Sequence, residues 1–87
     1  MDTQLEEDFL REVWNSIHTI SGYKDKTEAE KMNMVAFSIL VMIDGEHATV
    51  PPFEMRPIDE NGKKGKDIAG NLHNNFYKLR EKLTKKA

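Results

Sequence analysis

The sequence contains no cysteine among its 87 residues. This absence excludes disulfide bridges, thiolate metal sites and cysteine nucleophiles, so a chain of this size must be held together by packing. It also fits the reducing cytoplasm, where disulfides are rare, and we expect a cytoplasmic protein. The composition, 38% hydrophobic and 32% charged, is that of one globular domain spanning residues 1–87.

Long hydrophobic runs are also lacking. The longest apolar stretch, residues 34–43, is interrupted by Ser38, whereas a membrane-spanning helix needs about 20 apolar residues. The chain begins with acidic, amphipathic residues instead of the basic start and early apolar run of a signal peptide. We therefore expect no membrane partner and no export.

Motifs for catalysis and cofactor binding are absent as well. No serine has a Gly-x-Ser-x-Gly setting, and no glycine-rich phosphate loop is present. The three histidines, His18, His47 and His73, have no metal-binding spacing. We predict a non-enzymatic protein with no catalytic residue, no cofactor and no metal.

The most informative feature that is present is the apolar segment of residues 32–43, which is apolar on every side of a helix. A helix with that pattern is buried from all directions, so it should lie at the centre of the fold. Thr27 and Glu30 match the capping-box pattern, and Gly45 suits a left-handed residue after the helix. These signals place the second helix at about 28–44.

Amphipathic segments flank this central helix. Apolar residues recur every three or four positions over about 3–20 and about 68–83, which predicts a first and a third helix. Asp67 is a plausible N-cap for the third helix. The lysines that close the third segment suit a helix C-terminus.

Residues 46–66 behave differently from the helical segments. Pro51 and Pro52 favour extended backbone, and Asn61-Gly62 is a turn signal. The predicted fold class is therefore mostly α, with three helices arranged around a central apolar helix. A short extended Pro-rich arm or a minimal β-hairpin is expected between helices two and three.

Charge is unevenly distributed along the chain. Residues 1–12 carry five acids against one base, and residues 63–87 carry eight bases against two acids. The acidic head and the basic tail could lie side by side within one molecule or between two, or the tail could meet an anionic partner. An alternative function is therefore nucleic-acid binding by the basic C-terminal helix. The candidate residues are Lys78, Lys82, Lys85 and Lys86.

Aromatic and amide side chains indicate a protein partner. Trp14 lies at the margin of the apolar stripe of the first helix and Tyr77 lies beside Phe76, and aromatics at such places either anchor protein contacts or close the edge of a small core. His73 and Asn74 add hydrogen-bonding groups in a polar run of the third helix, which could serve a partner, a solvent-facing surface or the carbonyls of the arm. We predict a small protein-binding or adaptor protein. Its partner is another protein or, as a homodimer, a second copy, because two helices and an arm need not cover every face of the central helix.

Asp44-Gly45-Glu46-His47 is the best cluster of acids and histidine in the sequence. Such groups could bind a divalent metal or a small molecule if His73 lay beside them. This gives a second alternative function, which competes with a simpler interpretation as a helix stop followed by solvated loop residues.

The second half of the chain resembles small bacterial and prophage-encoded proteins of unknown function. The matching residues are Ile43-Asp44-Gly45, Pro52-Phe53 and Pro57, Asp67-Ile68-Ala69-Gly70-Asn71-Leu72-His73, and Phe76-Tyr77. The resemblance implies a bacterial or mobile-element origin and carries no activity, cofactor or ligand. It also implies that the Asp-Gly stop and the Gly70–His73 turn form one neighbourhood.

Overall fold

The computed structural model of the chain describes residues 3–85. It contains three helices, α1 (Thr3–Ser21), α2 (Glu28–Ile43) and α3 (Leu72–Lys85). Over the described residues the only β-pairing is a single antiparallel bridge between Ile58 and Lys64. The mostly α class with three helices is therefore confirmed. No helix between residues 3 and 85 is long and apolar enough to cross a membrane.

Local signals set both ends of α2. The Thr27 hydroxyl accepts from the Glu30 amide at 3.1 Å, and the Glu30 carboxylate accepts from the Thr27 amide at 2.8 Å, so the predicted capping box is confirmed. At the other end Gly45 adopts a φ of 85°. Its amide donates to the Met42 carbonyl and the following amide, of Glu46, donates to the Val41 carbonyl. These two bonds form a Schellman motif, which ends the helix and satisfies carbonyls that would otherwise lack donors.

Thr27→Ala is expected to lower the free energy of unfolding by about 1 kcal/mol, because the first turn of α2 loses its side-chain acceptor. Urea denaturation followed by circular dichroism would measure the loss. Thr19→Ala, at an exposed position inside α1, is the matched control and should be close to neutral. Equal losses in the two variants would contradict the capping role.

Helix α2 lies between the other two helices. It packs against α1 and against α3, whereas α1 and α3 do not pack against each other within the described residues. The fully buried apolar side chains in residues 3–85 are few: Ile20, Met42 and Val50. Phe53 packs edge-on against Phe9 of α1, with ring centres 5.1 Å apart.

The burial expected for α2 is not reached within the single chain. Met42 is its one fully buried residue, at 1% exposed, and Met32 near its start is 68% exposed. The other apolar residues of the segment are half-buried. One chain therefore leaves part of the surface of α2 open.

Residues 53–68 form an irregular hairpin beside the end of α2. The Phe53 amide donates to the Ile43 carbonyl at 3.0 Å, which ties the segment to the helix end. On the return, the Gly65 amide donates to the Pro57 carbonyl at 2.8 Å, and the turn between them has Gly62 at a φ of 81°. The hairpin brings the chain back toward α2 before α3 begins.

Helix α3 begins at Leu72, four residues later than predicted. Gly70 has a φ of 118°, which is incompatible with a helix, so no regular turn can form before it. Asp67 is not the N-cap of α3. Its carboxylate instead accepts from the amides of Met55 and Ala69 at 2.8 and 3.0 Å, which joins the hairpin to the turn before α3.

Candidate protein-binding surface

Asp44 joins the end of α2 to the start of α3. Its carboxylate accepts from the Gly70 amide at 2.7 Å and from the His73 amide at 2.8 Å, and it also contacts the Nδ1 atom of the His73 ring. The Asp44 side chain is fully buried. A carboxylate at this place suits the positive end of the α3 dipole. The Asp-Gly stop and the Gly70–His73 turn therefore form one neighbourhood, as the resemblance implied.

The electrostatics of this junction favour a charged Asp44. Burial by itself raises the pKa of the carboxyl group, but hydrogen bonds from the His73 side chain and from the amides of His73, Gly70 and Leu72 outweigh it. The net effect lowers the pKa of Asp44 from 3.8 to about 2. Asp44 and His73 thus act as a fixed structural pair that positions α3.

His47 lies apart from this junction. Its Nδ1 atom accepts from the Thr49 amide at 3.2 Å, and its Nε2 atom lies 3.3 Å from the Glu12 carboxylate of α1. Because Nδ1 accepts, the proton of the neutral ring lies on Nε2, the nitrogen that faces Glu12. The two histidines serve different carboxylates. Among residues 3–85 no group of three or more histidine, aspartate or glutamate side chains could hold a metal ion.

The four predicted partner contacts are placed differently by the structure. Trp14 is 64% exposed and stacks against His18. Tyr77 is exposed along one edge and packs on Phe37 of α2, and Asn74 is exposed. His73 is the exception, because its ring is held by Asp44 and its side chain is only 13% exposed. It serves the α2–α3 junction and is not open to a partner.

A continuous apolar surface lies on α1 and α2. Leu10, Trp14 and Ile17 are exposed, and their spacing of four and three residues puts them on one side of α1. Ile17 also lines a groove of about 290 Å³ between the two helices, together with Met32 and Val35 of α2. We call Leu10, Trp14, Ile17, Met32 and Val35 the α1–α2 apolar face. The sequence singled out Trp14 at the margin of the apolar stripe of the first helix, whereas the exposure of Leu10, Ile17 and Met32 is seen only in the structure.

A second uncovered surface lies on α3. This helix meets α2 through His73 and Tyr77, which both contact the Phe37 ring. The apolar residues of α3 recur at spacings of four, three and four. They lie on a side of the helix that is rotated by about a quarter of a turn around the helix axis from that contact. Leu79 and Leu83 are consequently 54% and 60% exposed. We call Leu72, Phe76, Leu79 and Leu83 the α3 apolar face.

The lysines proposed for nucleic-acid contact are exposed where the structure describes them. Lys78 and Lys82 form no salt bridge within the described residues, whereas Lys85 pairs with Glu81 at 3.2 Å. Lys86 lies outside the described residues. The spacing of Lys78, Lys82 and Lys85 puts these three on one side of α3.

No protein-family model, no curated protein and no solved structure matches the chain. Its function is therefore argued from its surfaces.

Proposed function

We propose that this chain is a non-enzymatic protein-binding module and that the α1–α2 apolar face is its contact surface. The observation that carries this proposal is the exposure of four large apolar side chains on one continuous surface. These are Leu10, Trp14, Ile17 and Met32. Apolar patches of this kind on small proteins mark interaction sites, and tryptophan is enriched among the residues that dominate binding energy.

The shape of the surface favours a helical partner. Two helices border an open groove whose floor is aliphatic, formed by Ile20 and Val35. An amphipathic helix can lay its apolar side chains into such a groove. Glu28 and Lys31 lie at the rim, which matches the polar rim around the apolar centre of protein interfaces.

A small molecule is a poorer fit to this face. Ligand pockets enclose most of their ligand and present a few convergent polar groups. The groove here is open, and the Lys31 ammonium at its rim already donates to the Ser21 carbonyl at 3.1 Å. We further propose that the protein acts in the cytoplasm of a bacterium, the setting that the resemblance of residues 43–77 to bacterial and prophage-encoded proteins implies.

Nucleic-acid binding is a second candidate, supported by Lys78 and Lys82, which are exposed and form no salt bridge with any residue between 3 and 85. Binding of this kind depends on phosphate neutralisation, so it weakens steeply with salt. Binding to an apolar face survives high salt. Salt dependence therefore separates the two candidates.

Affinity capture from a lysate of the source cells, at low and at high salt, tests the proposal. The immobilised wild-type protein should retain a protein at high salt, and the double variant Leu10→Ser/Trp14→Ser should lose it. With that protein purified, the double variant should bind it at least about 30-fold more weakly, since truncating a central tryptophan typically costs 2 kcal/mol or more.

The matched control is the double variant Ile58→Ser/Ile68→Ser, which removes two equally exposed apolar side chains from the hairpin region. It should bind like the wild-type protein. Retention of nucleic acid at low salt, with no protein at high salt, would instead favour the basic side of α3. Equal binding by both double variants would show that the α1–α2 apolar face is not the contact.

A further inference from the structure

The single chain exposes more surface than a folded protein of its mass should. Its accessible surface is 6923 Å², whereas a folded monomer of 10.1 kDa is expected to expose about 5,300 Å². Its radius of gyration is 15.1 Å, against about 12 Å expected for this length. The excess of about 1,600 Å² is roughly twice the area that one partner buries in a standard interface. The isolated chain therefore has enough surplus surface to form an interface of this size.

The two uncovered faces have complementary shapes. The α1–α2 apolar face contains a groove lined by residues of α1 and α2, so α3 of the same chain does not fill it. The α3 apolar face presents Leu79 and Leu83, one turn apart on an exposed ridge. A ridge of leucines on a helix is the shape that a groove between two other helices accepts.

The charges around the two faces are opposite. Glu6 and Glu7 lie on either side of the Leu10–Trp14 stripe of α1, where Glu7 also pairs with Arg11 at 3.4 Å. The groove rim carries one charge of each sign, so the acidic character of this face comes from α1. On α3, Arg80 and Lys82 lie on either side of the apolar face. Opposite charges that flank apolar seams fix which helices pair.

This pattern selects one pairing among the possible ones. Two α1 helices would bring acids against acids, and two α3 helices would bring bases against bases, so like-charge repulsion disfavours both pairings. Within one chain α1 and α3 do not pack on each other, so the acidic and basic faces do not meet there. The remaining arrangement puts α1 of one chain against α3 of another.

We propose that the occupant of the α1–α2 apolar face is the α3 apolar face of a second copy, in a two-fold homodimer. Each chain contributes both faces, so in a two-fold arrangement the contact forms twice. Two contact faces per chain are also consistent with an excess surface that is about twice the area one partner buries in a standard interface. This inference rests on the proposed function, because it uses the same face and names the partner.

Light scattering combined with tryptophan fluorescence tests the proposal. The mass should be twice 10.1 kDa at micromolar concentration. Trp14 is the one tryptophan in the sequence, so its emission reports on this face alone. The emission should lie at shorter wavelength in the wild-type protein than in Leu79→Ser/Leu83→Ser, which should be monomeric although its substitutions are on another helix.

Both leucines are exposed, so this variant should keep its helical circular dichroism, and Ile58→Ser/Ile68→Ser should remain dimeric with unchanged emission. A wild-type monomer at high micromolar concentration would overturn the dimer. If such a monomer still binds another protein through Leu10 and Trp14, the proposed function stands without self-association. If that binding is absent as well, both proposals fail.

Charge reversal tests which helices pair. In one variant Arg80→Glu/Lys82→Glu makes the α3 face acidic, and in the other Glu6→Lys/Glu7→Lys makes the α1 face basic. Each alone brings like charges together and should dimerise at least about 100-fold more weakly than the wild-type protein. Mixed together, each variant offers the charge that the other lacks, so a heterodimer should form. A mixture that stays monomeric, or variants that dimerise alone as well as the wild type, would overturn the α1-to-α3 pairing.

Discussion

Asp44→Asn is expected to lower the free energy of unfolding by about 2–4 kcal/mol. The substitution removes a buried charged acceptor from the Gly70 and His73 amides and from the His73 ring. It also puts an amide NH2 group where one of the two carboxylate oxygens accepts. Breaking one member of a buried hydrogen-bond network is among the few mechanisms that cost this much. Urea denaturation at one fixed protein concentration would measure the loss, since self-association also shifts apparent stability.

Asp25→Asn is the matched control for this prediction. Asp25 lies exposed in the connector between α1 and α2, and a substitution of this kind normally changes stability by less than about 0.5 kcal/mol. Similar losses in both variants would contradict a specific role for the Asp44 junction.

The pH dependence of stability gives an independent readout of the same carboxylate. Asp44 has a pKa of 3.8 when unperturbed and about 2 in the fold. Its contribution is therefore fully present above about pH 5 and is lost as the pH falls through 2, by up to about 2 kcal/mol. Glu30 and Asp67 also have lowered pKa values, because each carboxylate accepts from a backbone amide. The acid loss should thus be smaller in Asp44→Asn than in the wild-type protein, but not absent.

The limits of α2 could be predicted closely because the signals are local. The capping residues Thr27 and Glu30 are three positions apart, and Gly45 follows the last turn directly. The start of α3 could not be predicted in this way. Asp67 and the residues after it have the sequence of a helix start, but the carboxylate at the N-terminus of α3 comes from Asp44, 29 residues earlier in the chain than His73. Only the tertiary fold brings that acceptor into place.

The candidate surface could be predicted only in part, because helix periodicity is a local signal and coverage by a neighbouring helix is not. Periodicity tells which side chains share a helix face, so the stripe containing Trp14 and the one containing Leu79 and Leu83 were visible in the sequence. It does not tell which face a neighbouring helix covers. The Asp44–His73 junction turns α3 so that Tyr77 meets Phe37, and the leucine face is left open. The exposure of Leu79 and Leu83 therefore follows from the orientation of α3 on α2, which the periodicity of α3 does not reveal.

Gly45→Ala is expected to destabilise the protein by about 3 kcal/mol or more. Gly45 has a φ of +85°, where an alanine is strained by about 1–2 kcal/mol. An added Cβ would also lie 2.5 Å from the Cβ atom of Pro52 and 3.2 Å from its Cα atom. Because Pro52 has little freedom to move, the hairpin would have to shift away from the end of α2, at an overpacking cost of about 1–3 kcal/mol.

Gly62→Ala separates the two contributions. Gly62 has a similar φ of +81°, but an added Cβ would meet nothing within 4 Å. Gly62→Ala should therefore lower the free energy of unfolding by the backbone strain alone, about 1–2 kcal/mol. The additional loss in Gly45→Ala then measures the close approach of Pro52. If the two glycines tolerate alanine equally well, the hairpin is not held against α2 at this point. Because Gly45 follows Asp44 directly, a shift of the helix end also disturbs the junction with α3, so Gly45→Ala combined with Asp44→Asn should cost less than the two separate losses together.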